Sequence, residues 1–64
     1  MRITMEGGET YTLPGCLARF GAHLGVISPG FEITHIIQGG RLWKVTGPAG
    51  SKREHLGVIN RVEV

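Results

Sequence analysis

A chain of 64 residues with 41% apolar residues, 19% charged residues and a formal net charge of +2 makes one small domain, and such a domain buries only about 60% of the surface its unfolded form exposes. The single cysteine excludes an internal disulfide, so oligomerisation or docking on a partner is the remaining common source of added stability. The mild basicity falls short of the dense Lys/Arg stripe of a dedicated nucleic-acid binder, and no apolar run approaches the ~20 residues a membrane-spanning helix needs.

Taken in chain order, Arg2 to Met5 alternates as a half-buried strand does, and Gly7-Gly8 can supply the positive φ of a two-residue hairpin turn. Thr10 to Leu13 then returns with Tyr11 and Leu13 pointing inward. Leu13, Leu17, Phe20 and Leu24 follow at spacings of four, three and four, which predicts a short helix over one end of the core. Leu24 to Ile27, with a β-branched pair after a glycine, reads as a third strand. Phe31, Ile33, His35 and Ile37 share one face of the next strand, Gly39-Gly40 turns it, and Arg41 to Thr46 comes back with Trp43 and Val45 on one face. The stretch 47–55 is polar and turn-rich, with Ser51 and Glu54 spaced as a capping box, and predicts an exposed loop with one helical turn at most. Leu56 to Val64 closes the chain as a strand. Eleven glycines argue against a helical bundle, because each inside a helix costs about 1 kcal/mol relative to alanine.

His23-Leu24-Gly25-Val26-Ile27 recurs unchanged as His55-Leu56-Gly57-Val58-Ile59, an offset of 32, half of the 64-residue chain. The same ungapped offset aligns Glu6-Gly7-Gly8 with Gln38-Gly39-Gly40, Tyr11 with Trp43, Leu13 with Val45 and Gly15 with Gly47, the pattern of a tandem duplication. Each half reads as a three-stranded unit whose single apolar face it cannot cover alone. Packing one half on the other predicts a mainly β, single-domain fold over 1–64: a small six-stranded barrel or sandwich from two halves, 1–32 and 33–64, with pseudo-twofold symmetry. Gly25 and Gly57, inside the repeated strand, mark bends or close backbone approach.

The candidate site is basic. Arg41 and Lys44 on the second hairpin, with Lys52, Arg53 and His55 on the loop after it, surround Trp43, which suits an acidic protein surface or phosphate with the indole as anchor or stacking platform. Two plainer readings compete: solubilising charge at a hairpin edge, and a core position for Trp43, since it aligns with Tyr11. His23 and His55 are equivalent in the repeat, but neither they nor His35 and Cys16 show a close metal-ligand spacing, so no metal or cofactor is expected. Cys16 falls on the apolar side of the predicted helix and reads as a core thiol rather than a nucleophile. The five glutamates are dispersed and there is no aspartate. The Gly-Gly pairs lack the spacing of phosphate loops. These features point to a non-catalytic module that binds a protein partner or its own copies, as assembly factors, capsid decoration proteins and inhibitors do, phage-encoded ones included. A nucleic-acid-binding barrel using the basic loop and hairpin is the alternative, and a metal- or Cys-dependent enzyme is least supported. A lone thiol and an N-terminus without the apolar core of a signal peptide predict the cytoplasm, with no membrane partner.

Overall fold

The computed structural model describes the backbone of residues 1–64 and every side chain except that of Ala49. The chain forms seven strands, β1 (Arg2–Met5), β2 (Thr10–Thr12), β3 (Cys16–Phe20), β4 (His23–Ile27), β5 (Ile33–Gln38), β6 (Arg41–Thr46) and β7 (Lys52–Glu63), with one 3-10 turn at Pro48–Gly50. They form a single antiparallel sheet in the order β2-β1-β7-β6-β5-β4-β3. The strands number seven rather than the expected six.

The extra strand is β3, which stands where a helix was expected. Gly15 and Gly21 bracket the segment, and the two-residue turn Gly21-Ala22, with Gly21 at φ 60°, joins it to β4 as a hairpin from Phe20↔His23 to Cys16↔Ile27. A run this short gains little from helical hydrogen bonds, whose nucleation is costly, while β4 offers a complete ladder. The loop expected over 47–55 contracts for a similar reason. β6 runs to Thr46, so Lys52 pairs with it at once, and Lys52, Arg53 and His55 sit on a strand. Ser51 makes no capping-box contact; it lies past the short turn, its amide donating to the Pro48 carbonyl.

β7 lines two neighbours in succession. Its first part pairs with β6, from Thr46↔Lys52 to Arg41↔Val58, and its last part with β1, from Met5↔Ile59 to Arg2↔Glu63. The change of neighbour falls between Val58 and Ile59, just past Gly57, whose φ of 139° is a conformation other residues avoid. One extra residue, Leu56, bulges opposite the Leu42/Trp43 step, and bulges bend and twist a strand. The sheet therefore curls. Its two edges, β2 and β3, are joined by Leu13-Pro14-Gly15 alone, a link that spans at most about 14 Å, and Gly15 lies so close to the Ile27 carbonyl that a Cβ there would collide with it. No ladder joins β2 to β3 or β4, so the sheet is not closed.

The core is small and lies inside the curl. Ile3, Met5 and Leu42 form its buried cluster, with Met1, Tyr11, Leu13, Ile37, Leu56 and Ile59 packed around it, and Val26 is also fully buried.

Candidate functional site

The two aligned hairpins differ by one residue in their turns. In the first, the Met5 amide donates to the Glu9 carbonyl at 2.7 Å, leaving a three-residue loop, with positive φ at Gly8 but not Gly7, in place of the expected two-residue turn, and the pairing Ile3↔Tyr11. In the second, Gly39 and Gly40, at φ 64° and 71°, make a two-residue turn of the kind that needs positive φ twice, and Gln38↔Arg41 closes it. Trp43 therefore pairs with Ile36 instead of His35, the counterpart of Ile3. A slip of one residue turns every side chain of the returning strand to the other face. Tyr11 packs on the core, whereas Leu42 takes the inner place on β6 and Trp43 faces out, half-buried. The expected core position for Trp43 does not hold.

On this outer face Gly25, Ile36, Trp43 and His55 form one row across four strands. The Trp43 and His55 rings lie 4.8 Å apart with planes at 58°, and Arg41 Nη1 lies 3.1 Å from His55 Nε2. Arg53 Nη1 donates to Gln38 Oε1 at 3.3 Å. Gln38 and Arg53 belong to rows on either side of Trp43, so their contact closes across the indole. Phe20 lies over Gly25, where a Cβ would fall 2.7 Å from the ring. Glycine is what makes that seat.

Beside this row the sheet parts. β5 and β6 pair only as far as His35↔Lys44, and beyond that point lies an apolar cleft of about 540 Å³ floored by Ile33, Ile36 and Val45, with Glu32 at one lip and Thr46, Gly47 and Gly50 at the other. A bulge explains its floor. Val26 pairs with His35 but Ile27 with Ile33, so Thr34 is supernumerary and Ile33 leaves the face of His35 and Ile37 to join Ile36. The four residues Phe31, Ile33, His35 and Ile37 thus do not share a face as expected. Phe31 precedes the strand at φ 62° and is 90% exposed. Its turn is held by Phe31 N to Ser28 O at 2.9 Å and Ser28 N to Glu32 O at 2.8 Å.

Of the expected site residues, Arg41, Trp43, Arg53 and His55 come together. Lys44 and Lys52 do not join them, because they occupy the alternate rows with Glu54 and Thr46. Lys44 instead stands opposite His35, and burial first, then this cation, lowers the His35 pKa. Burial, then Glu9 and Glu54, raise that of Tyr11. Among the described residues, ion pairs join Glu63 to Arg2 at 3.2 Å and to Arg61 at 3.8 Å, and none engages Arg41, Lys52 or Arg53. Cys16 is exposed on the edge strand β3 rather than in the core. His23 stacks on Phe20 at 6.2 Å, and two strands separate its strand from that of His55. No group of three or more His, Cys, Asp or Glu among the described residues is placed to hold a metal ion. Sequence reasoning missed Phe20, Ile33 and Ile36 as members of this face. The glycine at 25, preserved in the repeat beside an aromatic hairpin end, was the one available signal.

Comparison with protein-family models, curated proteins and solved structures finds no match to this chain. Among the described residues no helix is long and apolar enough to cross a membrane.

Proposed function

We propose that the protein is a non-catalytic binding module that docks another protein on the outer face around Trp43, in the manner of a small assembly factor, decoration protein or inhibitor of the cytoplasm. The observation that carries this reading is the apolar surface made by Phe20, Ile33, Trp43 and Val45 around the buried Ile36, with Phe20 and Ile33 38% and 41% exposed. Contiguous apolar patches rimmed by polar groups mark interaction sites, and aromatic residues and Arg are enriched at interfaces and dominate their energetics. Arg41 and Arg53 supply the rim. The exposed free thiol of Cys16 suits a reducing compartment.

The second reading is nucleic-acid binding, favoured by the same Trp43 with Arg41, Arg53 and His55 about it. A fluorescence-anisotropy titration with random duplex DNA and single-stranded RNA at ~50 and ~200 mM salt separates the two. Tight binding that collapses at the higher salt refutes the protein-directed reading. No binding at either salt, with photo-crosslinking from Val45 but not from Thr12 to a protein in the cells that make it, supports it.

The duplication is part of this proposal. At the offset of 32, β1, β2 and β4 correspond to β5, β6 and β7; the β1–β2 and β5–β6 pairs correspond, and so do β4–β5 and β7–β1. Only the counterpart of β6–β7, a β2–β4 pair, is missing, and β3 lies along β4 in its place. This supports reading the fold as a six-stranded barrel from two halves, opened at one seam by β3.

A further inference from the structure

We infer that the segment docked on the outer face is acidic and extended, with a carboxylate side chain held by Arg41 and Arg53 beside Trp43 and an apolar side chain two residues away in the cleft floored by Ile33, Ile36 and Val45. The inference rests on the outer face being a protein-docking surface and names the chemistry of what docks there. It starts from how the two guanidinium groups are engaged. Arg41 donates from Nη1 to the imidazole Nε2 of His55 at 3.1 Å, and Arg53 donates from Nη1 to the amide Oε1 of Gln38 at 3.3 Å. Both acceptors are neutral. Among the described residues the ion pairs are those of Glu63 with Arg2 and Arg61. The other glutamates stand elsewhere: Glu6 and Glu9 in the loop between β1 and β2, Glu54 in the row of Lys44 on the opposite face, and Glu32 at a lip of the cleft. A guanidinium carries five N–H donors in a planar fork that fits a carboxylate. Each arginine therefore keeps donors and its charge for an anion, while its neutral contact holds it in place beforehand.

The register sets the spacing between the two anchors. Arg41 reaches into the Trp43 row from one side, through His55, and Arg53 crosses it from the other. Ile36 lies in that same row and Val45 in the next, and both floor the cleft of about 540 Å³. Neighbouring rows on one face of a sheet are two residues apart, about 7 Å, which is also the distance between side chains i and i+2 of an extended segment. One such segment presents a carboxylate to the guanidinium groups and an apolar side chain to the cleft at once, next to the indole. A nucleic-acid strand fits these charges less well. Its affinity grows with the number of phosphates neutralised, but Lys44 and Lys52 occupy the alternate rows, and the cleft beside the arginines is apolar with Glu32 at its lip.

Selection from a library of random heptapeptides on the immobilised full chain, followed by titration of the selected sequences against the fluorescence of Trp43, the one tryptophan present, tests this. Asp or Glu two residues from a large apolar residue is expected to be enriched, and changing that acid to its amide should weaken binding by at least ~10-fold, as loss of a charge-assisted contact does. Arg41→Gln and Arg53→Gln, both at exposed positions, should weaken it by a similar factor. Lys52→Gln, the same change of charge on the opposite face, should leave it within about twofold, since exposed charges at a distance are screened. Selected peptides with no acidic excess, or an affinity that falls as much with Lys52→Gln as with Arg53→Gln, overturn the inference and leave protein docking on this face standing. A library that yields no binder also overturns it, and crosslinking from Val45 then judges protein docking by itself. Single-stranded RNA that changes the Trp43 fluorescence at lower concentration than any selected peptide overturns both.

Discussion

Leu42 and Trp43 are adjacent on β6, and the structure assigns them opposite roles that their stabilities must reflect. Leu42 is 0% exposed in the cluster with Ile3 and Met5. Truncating such a leucine to alanine costs the transfer of the lost methyl and methylene groups plus the cavity left behind, about 2.7–5 kcal/mol. Because few other side chains can collapse into the space, a loss of about 4 kcal/mol is expected. Trp43 is larger, but its outward face leaves it half-buried. An indole that hides on the order of 100 Å², at ~25 cal/mol per Å², contributes about 2.5 kcal/mol, and the compactness of the denatured chain lowers this to about 2. A 64-residue domain has about 3–10 kcal/mol in total, so Leu42→Ala removes a large part of it and Trp43→Ala does not. Urea unfolding followed by far-ultraviolet circular dichroism at low micromolar concentration measures both, and Leu42→Val extends the series if the alanine variant does not fold. Trp43→Ala costing as much as Leu42→Ala would mean that β6 has been assigned the wrong face, and with it the whole candidate site.

Three further outcomes follow from the same geometry. His35 is held below the ordinary imidazole range by burial and then by Lys44, so below about pH 6.5 the unfolded chain binds more protons at this residue than the folded one. Stability contributed here is complete above that pH and declines as pH falls through it; urea titrations between about pH 5 and 7.5 should show a shallower slope in His35→Gln, and an unaltered slope contradicts the assignment. Gly39 and Gly40, at φ 64° and 71° with open space around each, should each lose about 1 kcal/mol on replacement by alanine and less on replacement of Gly39 by asparagine; equal losses for alanine and asparagine at 39 would argue against the two-residue turn. Cys16, exposed on β3, should react with a thiol reagent in native buffer at a rate close to that in denaturant, and a rate many-fold slower would place it inside.

The hairpins were legible in the sequence because their signals are local. Alternation over Arg2–Met5 and Arg41–Thr46, with Gly-Gly between partners, specifies a turn and two strands without reference to the rest of the chain. β3 was not legible because Leu17, Phe20 and Leu24 satisfy a helical spacing by accident of two strands meeting in a hairpin: Leu17 lies in β3 and Leu24 in β4, and they approach through pairing with Val26 and Arg19. A short apolar run cannot distinguish these periods. The bend at Gly57 and the sharing of β7 between β6 and β1 depend on contacts between residues far apart in sequence, Met5 with Ile59 and Arg2 with Glu63, which no local pattern encodes. Four of the six proposed site residues do converge, because charge and an aromatic on a predicted hairpin face place one another once the hairpin is right. Phe31 was assigned to a strand face because its positive φ follows from the turn at Ser28, and nothing in its own identity announces that.

The repeated pentapeptide shows why equivalent residues in the two halves need not have equivalent roles. Gly25 gives Phe20 a seat on the outer face, where a Cβ would fall 2.7 Å from the ring, while Gly57 faces the core, where a Cβ would fall 3.3 Å from Met5 Cε. Both copies need a glycine, for contact with different sides of the sheet. The turns differ in the same sense: three residues in the first hairpin keep Tyr11 inside, and two in the second turn Trp43 out. An ungapped alignment of the halves conceals this, since Glu6-Gly7-Gly8 and Gln38-Gly39-Gly40 match without a deletion although Gln38 has moved from the loop into the ladder. One residue of register was thus enough to exchange a core aromatic for a surface one. The first half carries Ile3, Met5 and Tyr11 in or against the core, whereas the second half carries Trp43, Val45 and the cleft. The docking surface proposed for this chain lies where the repeat departs from symmetry, which is also where a partner would distinguish one half from the other.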